Sequence, residues 1–215
     1  MGSQSIIPPK RWPLTKLSGF RKKAGNNLTR LIVQPLSKTP ISPNAVTWFG
    51  FLLTLGAAAL ILTEHLFAAG FVVLVAGFFD MLDGALARST SRVTQFGGVL
   101  DSALDRLAEG ALLLSILVIY AREQSILGVS IAGVALLGSV LVSYIRARAE
   151  AIGLDCEVGL FTRAERVVVL VLGLLLSQID YALIVALGII MVFSFVTVSQ
   201  RLIYVWRKTK KSDSF

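Results

Sequence analysis

Four aspartates stand in stretches of the sequence that are otherwise strongly apolar, and their type and spacing make them the first candidates for chemistry. Asp80 and Asp83 are three positions apart, and Asp101 and Asp105 are four positions apart. Residues at these spacings project from one face of a helix, so each pair presents two carboxylates together. Because a charged side chain is costly inside an apolar membrane helix, we interpret all four aspartates as functional residues.

A divalent cation is the partner that this cluster of carboxylates predicts. Only a short segment separates the two pairs, so their helices are expected to be antiparallel neighbours that bring the carboxylates to a similar depth. Carboxylates this close repel one another unless they share a cation, and all-oxygen ligand sets suit Mg²⁺, Mn²⁺ or Ca²⁺, of which Mg²⁺ or Mn²⁺ is the predicted cofactor. We therefore predict one or two such ions. The alternative is that Arg88, Arg92 and Arg106 merely neutralise the aspartates, which would explain one pair more readily than both.

The segments that must position the aspartates are apolar enough to cross a membrane. The chain has 215 residues, of which 55% are hydrophobic and 16% charged, and its mean hydropathy is +0.75. Soluble domains have about a quarter of their residues charged, and a helix needs about 20 apolar residues to span the hydrocarbon layer. We therefore predict an all-α integral membrane protein. Its six transmembrane helices are expected at residues 44–64, 66–88, 96–121, 124–150, 163–179 and 181–206.

The flanking segments complete the predicted domain organisation. Residues 1–43 are expected to form an N-terminal tail, in which 14–36 mixes leucines with lysines and arginines. That mixture favours an amphipathic helix lying in the membrane interface. Residues 44–206 form the predicted six-helix catalytic domain, and 207–215 form a basic C-terminal tail.

The basic residues predict the orientation of the helices. If the N-terminus lies inside the cell, almost every lysine and arginine falls on the cytoplasmic side, and Arg122 alone falls outside. Because an excess of basic residues is typical of cytoplasmic loops, we predict a multi-pass protein of the cell membrane with both termini and the aspartates facing the cytoplasm. The net charge of +8 is then explained by membrane anchoring, and no nucleic-acid partner is expected.

The aspartates and their neighbours resemble the signature of the CDP-alcohol phosphatidyltransferase family. This resemblance covers eight fixed residues within 26 positions, namely Asp80, Asp83, Gly84, Ala87, Arg88, Gly97, Asp101 and Asp105. It implies a six-helix membrane enzyme that transfers a CMP-linked phosphoryl group to an alcohol and releases CMP. It also implies a homodimer.

The resemblance implies a role for each residue of the signature. Asp80, Asp83 and Asp101 become metal ligands, and Asp105 becomes the general base that takes the proton of the attacking hydroxyl while belonging to the same metal cluster. An Asn-x-x-Thr element at the start of the first span is similar to one that lies near the nucleotide in many members. The residues implied in CDP binding are Asn44, Thr47, Asp80, Gly84, Ala87, Arg88 and Gly97.

A group of arginines on the predicted cytoplasmic side points to a phosphorylated acceptor, because guanidinium groups suit a phosphate dianion. The segment SYIRARAE and the following RAER resemble the bacterial phosphatidylinositol phosphate synthases, which use inositol 1-phosphate. One departure is Arg146, where many members have lysine. The resemblance implies that the acceptor phosphate is bound by Arg146, Arg148, Arg166 and Arg201. Positive-inside anchoring alone would explain some of these arginines equally well.

Two other functions compete with this interpretation. Phosphatidylglycerol phosphate synthases also use a phosphorylated acceptor, glycerol 3-phosphate, but Ser102 and Arg106 stand here where proline and lysine are expected for them. An ion-coupled transporter would distribute polar residues through the full depth of the membrane, whereas the outer halves of the predicted spans are almost free of charge. The membrane setting favours CDP-diacylglycerol as the donor, with its nucleotide among the aspartates and its acyl chains in the bilayer.

Overall fold

A computed structural model describes residues 42–89 and 94–212, apart from the side chains of Arg88, Lys211 and Ser212. Its described residues form six α-helices and no strands, so the all-α prediction is confirmed for this part of the chain. The helices are α1 (Pro43–Leu62), α2 (Leu66–Ser89), α3 (Gln95–Arg122), α4 (Ile126–Ala151), α5 (Arg163–Leu175) and α6 (Ala182–Ser212). The interfacial helix predicted at 14–36 lies outside the described residues.

Hydroxyl side chains begin several of these helices. The Ser42 hydroxyl accepts a hydrogen bond from the Ala45 backbone N–H at 3.2 Å, and Pro43 opens α1, where its missing N–H costs nothing. The Thr94 hydroxyl accepts from the Gly97 N–H at 3.0 Å and so begins α3. These caps fix where α1 and α3 start, which matters because both starts lie beside the aspartates.

Four of the helices (α1, α2, α4 and α6) are long and apolar enough to cross a membrane. The first half of α3 carries Asp101, Asp105, Arg106 and Glu109, which interrupt its apolar sequence. In turn, α5 has only 13 residues. By length and composition, α3 and α5 are therefore the two helices that are least like ordinary membrane spans.

The two last helices differ from their predicted limits. The prediction that the fifth span extends to residue 179 is wrong, because α5 ends at Leu175 and the chain turns before α6. The polar sequence Ser-Gln-Ile-Asp favours that turn, which ends with Tyr181 at φ 64°. At its other end α6 continues past residue 206 to Ser212, so basic residues assigned to the tail are helical.

Small buried residues allow the helices to pack closely. α1 packs against α2 and α3, α4 against α3 and α6, and α5 against α2 and α6. Ala57, Ala132 and Ala135 are fully buried in the core together with Ile61 and Ile116. Many large apolar side chains on the outside of the bundle are exposed instead, which is the surface expected where lipid surrounds a protein.

Candidate active site

Three of the four aspartates converge where the end of α2 meets the start of α3. Carboxylate oxygens of Asp80, Asp101 and Asp105 all lie within 4.8 Å of one another. Asp83 is not part of this group, although it is buried and one of its oxygens, Oδ2, has no hydrogen-bond partner. We call Asp80, Asp101 and Asp105 the aspartate triad. Three converging carboxylates, with the unpartnered buried Asp83 oxygen nearby, form an all-oxygen donor set that fits a divalent cation.

An arginine that the sequence analysis did not select lies against the triad. Arg163, the first residue of α5, places Nη1 2.8 Å from Asp80 Oδ2 and 2.9 Å from Asp105 Oδ2. The sequence signal that could have pointed to it is the helix start beside it. Thr162 and Glu165 have the spacing of a capping box, and the Thr162 N–H donates to the Glu165 carboxylate at 2.8 Å. In the sequence, Arg163 belongs to the segment RAER at the predicted start of the fifth span, from which only Arg166 was selected as a ligand.

A first cavity, the glycine-lined cavity, opens beside the triad between the starts of α1 and α3 and the end of α2. Its volume is about 340 Å³, and its lining consists of Pro43, Asn44, Thr47, Asp83, Gly84, Ala87, Thr94, Gly97, Gly98 and Asp101. Five residues implied in CDP binding lie in this lining: Asn44, Thr47, Gly84, Ala87 and Gly97. Of the other two, Asp80 belongs to the triad, and the side chain of Arg88 lies outside the described part of the chain.

The absence of a side chain at Gly97 is a structural requirement of this cavity. A Cβ atom at this position would lie 2.8 Å from Thr94 Oγ1 and 3.2 Å from Asn44 Oδ1. The first distance is too short for a real contact, so a larger residue would displace the cap of α3 or the asparagine. Gly97 thus allows α1 and α3 to come together at the cavity wall.

A second cavity, the arginine-lined cavity, lies between α3, α4, α5 and α6. Its volume is about 280 Å³, and its lining consists of Ser102, Asp105, Arg106, Val142, Ser143, Arg146, Ala147, Glu150, Thr162, Arg163, Arg166 and Arg201. Three of the four predicted phosphate ligands are present, namely Arg146, Arg166 and Arg201. Arg148 is exposed and does not line the cavity, because two positions along a helix turn a side chain by about 200°.

Two of these arginines are buried and held firmly. Arg166 is 1% exposed and forms a double hydrogen bond with Glu109, from Nε to Oε1 at 2.5 Å and from Nη2 to Oε2 at 2.9 Å. Arg201, 3% exposed, donates through Nε to the Val158 carbonyl at 2.9 Å and through Nη1 to the Val142 carbonyl. Glu109 is the second residue that the sequence analysis missed, because nothing in its neighbourhood on α3 marks it as the partner of α5.

The third arginine is held differently. Arg146 is exposed and pairs with Glu150 one turn along α4 at 2.8 Å. The cavity therefore combines two buried, oriented guanidinium groups with one that is open to solvent.

The segment 152–162 between α4 and α5 is fastened to one face of α6. The Leu160 N–H donates to Gln200 Oε1, and the Phe161 N–H donates to Thr197 Oγ1, each at 3.1 Å. Tyr204 donates to the Asp155 carbonyl at 2.9 Å. Positions 197, 200 and 204 share a helix face, so this face of α6 fixes the start of α5 and, with it, Arg163 and Arg166.

A third, interior cavity lies beneath the triad. It has a volume of about 40 Å³ and reaches from Asp80, Asp105 and Arg163 to Glu109 and apolar side chains of the core. This volume is enough for a water molecule if polar groups hold it. The interior cavity thus has two aspartates of the triad, Arg163 and the buried Glu109 in its wall.

Known proteins resemble this chain over most of its length. A family model described as CDP-alcohol phosphatidyltransferase matches residues 40–200. The chain is 34% identical over 184 residues to the archaetidylinositol phosphate synthase of Methanothermobacter thermautotrophicus, covering 84% of this chain and 92% of that protein. It is 36% identical over 190 residues to the phosphatidylinositol phosphate synthase of Corynebacterium glutamicum, covering 83% of this chain and 86% of that protein.

Two crystal structures of the phosphatidylinositol phosphate synthase of Mycobacterium tuberculosis have a similar fold. The structure with CDP-DAG bound gives a TM-score of 0.76 at 34% identity and covers 84% of this chain and 94% of that one. The complex with manganese and citrate gives a TM-score of 0.75 at 36% identity and covers 83% of this chain and 88% of that one.

Proposed function

Because the chain belongs to the CDP-alcohol phosphatidyltransferase family, we propose that it transfers the phosphatidyl group of CDP-diacylglycerol to a hydroxyl of inositol 1-phosphate and releases CMP. The observation that carries this proposal is the position of the aspartates between two cavities of different chemistry. Asp83 and Asp101 line the glycine-lined cavity, and Asp105 lines the arginine-lined cavity. A nucleotide donor in the first and a phosphorylated acceptor in the second would meet at the triad.

The glycine-lined cavity suits the CDP part of the donor. Gly84, Ala87 and Gly97 leave room for a close approach of the pyrophosphate and the nucleotide. Asn44 and Thr47 at the start of α1 supply polar groups beside them, and the acyl chains would remain in the surrounding lipid. A relative of similar fold, at a TM-score of 0.76, has CDP-DAG bound, which supports CDP-diacylglycerol as the donor.

The triad and Asp83 are the residues that would hold the divalent metal. The family resemblance assigns Asp80, Asp83 and Asp101 as ligands, whereas the closest convergence of oxygens is that of the triad. The bound metal supplies positive charge that neutralises the pyrophosphate and stabilises the leaving CMP. Use of a divalent cation agrees with the related structure that contains manganese.

Asp105 is the proposed general base. Of the four aspartates, it is the only one that lines the arginine-lined cavity. There it can accept the proton of the acceptor hydroxyl as the oxygen of that hydroxyl attacks the phosphorus that carries diacylglycerol. The new oxygen–phosphorus bond forms, the bond to CMP breaks, and CMP leaves with the electron pair.

The phosphate of the acceptor is assigned to Arg146, Arg166 and Arg201, without Arg148. Two of these guanidinium groups are buried and oriented by Glu109 and by backbone carbonyls. Oriented guanidinium groups in a partly buried site bind a phosphate dianion more strongly than solvated ones. They would hold the acceptor so that its hydroxyl lies near Asp105.

The membrane arrangement is proposed on the same basis. We place the protein in the cell membrane with six spans, both termini and the active site facing the cytoplasm. With the N-terminus inside, the sequence puts almost every lysine and arginine on the same side as the aspartates. In this arrangement the first turn of α5 and the charged start of α3 face the polar cavities rather than lipid. A homodimer remains a prediction from the family resemblance.

The test is CMP release by the purified protein with Mg²⁺ and CDP-diacylglycerol, with inositol 1-phosphate, glycerol 3-phosphate, free inositol and serine offered separately. We expect turnover with inositol 1-phosphate alone, and turnover at least about a hundredfold slower from the Asp105→Asn variant under the same conditions. Turnover with glycerol 3-phosphate instead would retain the mechanism and change the product to phosphatidylglycerol phosphate. Silence with all four acceptors would contradict the proposed reaction.

A further inference from the structure

We propose that Arg163 couples metal binding to acceptor binding: it neutralises the aspartate triad before a divalent cation is bound, and afterwards it binds the acceptor phosphate in the arginine-lined cavity. This inference rests on the proposed function, since it names a further residue for the same site. It concerns an arginine that neither the signature of the family nor the predicted phosphate ligands include.

The first observation is that Arg163 is a counter-ion of the aspartate triad. Its Nη1 lies 2.8 Å from Asp80 Oδ2 and 2.9 Å from Asp105 Oδ2, and both aspartates belong to the triad. A guanidinium group and a divalent cation that use the same carboxylates repel each other. Binding of the metal therefore weakens the hold of the two aspartates on Arg163.

The second observation is that Arg163 has a hydrogen-bond donor to spare. Its Nε is buried and has no partner, whereas Arg166 and Arg201 use Nε to donate to Glu109 and to the Val158 carbonyl. Buried donors in proteins are almost always paired, so an unpaired one at a cavity wall suggests a ligand. A phosphate oxygen is an acceptor of the required kind.

The third observation is the position of Arg163 between two spaces. Its side chain lines both the interior cavity beneath the triad and the arginine-lined cavity. About a third of that side chain is exposed, whereas Arg166 is fixed by its double hydrogen bond with Glu109. Of these two arginines at the start of α5, Arg163 is therefore the one that is free to turn from carboxylates to a phosphate.

One consequence is a positive linkage between the metal and the acceptor. If metal binding releases Arg163 for the phosphate, then a bound phosphate must favour metal binding by the same factor. Removal of the Arg163 charge should therefore have opposite effects on the two ligands. The metal should bind more tightly because its competitor is gone, and the acceptor should bind more weakly because it has lost a donor.

The experiment measures three quantities on the purified protein. The affinity for Mn²⁺ is measured without substrates from the electron paramagnetic resonance signal of the free ion, and the KM values for inositol 1-phosphate and CDP-diacylglycerol are measured by CMP release. For Arg163→Gln we expect roughly tenfold tighter Mn²⁺ binding and an acceptor KM raised about tenfold, with the donor KM within about twofold of its original value. Arg207→Gln is the matched control. It removes an exposed charge near the end of α6 and should change none of these values.

Unchanged or weaker Mn²⁺ binding by Arg163→Gln would overturn the proposal, and so would an unchanged acceptor KM. Arg163→Lys tests the same idea with its charge retained, in case the glutamine variant does not fold. A lysine cannot bridge two carboxylates as a guanidinium does, so we expect about threefold tighter Mn²⁺ binding and a raised acceptor KM. If the wild-type protein uses another acceptor, the proposed function fails, yet the Mn²⁺ measurement still decides whether Arg163 competes with the metal.

Discussion

The two cavities beside the aspartates are similar in volume, about 340 and 280 Å³, but opposite in construction. The glycine-lined cavity is formed by α1, α2 and the start of α3, and its shape depends on residues with little or no side chain. The arginine-lined cavity is formed by α3, α4, α5 and α6, and five arginines contribute to its wall. The glycine-lined cavity thus exists because side chains are small or absent, whereas the arginine-lined cavity is characterised by its positive charge.

This difference has an energetic consequence. A cavity lined by small residues costs the fold little free energy, but it loses its volume when atoms are added to its wall. A cavity made by buried cations needs anions and carbonyls around it, since an uncompensated buried charge is strongly destabilising. Glu109 and the carbonyls of Val142 and Val158 meet this need here. Removal of these compensating groups should therefore destabilise the arginine-lined cavity.

Asp105 gives the largest expected effect, since it lines the arginine-lined cavity and belongs to the triad. Asp105→Asn removes the proposed base, so kcat should fall by roughly 10²- to 10⁴-fold. Binding of CDP-diacylglycerol should persist, because Asp105 does not line the glycine-lined cavity. Single-turnover CMP release and a donor-binding titration measure the two quantities.

The control for that variant is Asp155→Asn, which changes an exposed aspartate in the segment between α4 and α5. It should leave turnover and binding unchanged. A Mn²⁺ titration of Asp105→Asn adds a further decision. If the variant retains its affinity for Mn²⁺, Asp105 acts mainly in proton transfer. A large loss of this affinity would mean that Asp105 is primarily a metal ligand.

Glu109→Gln gives the second largest expected effect and tests how the cationic cavity is supported. It leaves the buried Arg166 without its anionic partner, a change that costs about 3–5 kcal/mol where a buried pair is broken. We expect a lower Tm in detergent and a raised KM for the acceptor, with the KM for the donor little changed. Glu123→Gln, at the exposed end of the same helix, is the control.

A double variant separates stability from function in this pair. Adding Arg166→Gln to Glu109→Gln removes the unpaired charge, so much of the lost Tm should return. The acceptor KM should remain high, because the phosphate has still lost a guanidinium group. Recovery of both quantities would show that Arg166 serves only to anchor α5.

The same contrast explains how much of the site could be predicted from the sequence. The glycine-lined cavity comes from two short segments and the start of α1, so its residues carry a local spacing that can be recognised without coordinates. The ends of the apolar runs likewise located most helices, because lipid imposes a length on them. The family, which depends on these local patterns, is confirmed, and the manganese in a related structure agrees with the predicted divalent metal.

The arginine-lined cavity was only partly predictable. Arg163 pairs with Asp80 across 83 positions of the chain, and Arg166 pairs with Glu109 across 57. No local periodicity encodes such contacts, and in a basic, membrane-anchored sequence each arginine has an ordinary explanation. The early end of α5 was also missed. Apolar residues recur among polar ones in the turn that follows Leu175, so the sequence does not mark where the helix ends.

Gly97→Ala is the third test, and it addresses the cavity made by missing atoms. The added Cβ would lie 2.8 Å from Thr94 Oγ1 and 3.2 Å from Asn44 Oδ1. Overpacking of this kind costs about 1–3 kcal/mol, so we expect the KM for CDP-diacylglycerol to rise about tenfold while the KM for the acceptor changes little. Gly56→Ala, in a part of α1 where a Cβ would meet nothing within 4 Å, is the control.

The smallest expected effect separates two arginines that are neighbours in sequence. Arg146 lines the arginine-lined cavity but is exposed and paired with Glu150, so its charge is partly screened. Arg146→Gln should therefore raise the acceptor KM only about fivefold, which corresponds to about 1 kcal/mol. Arg148→Gln should change it by less than about twofold, because Arg148 points away from the cavity wall by about half a turn. Equal effects of the two substitutions would mean that general positive charge at this end of the bundle attracts the acceptor, and that the wall of the cavity does not select it.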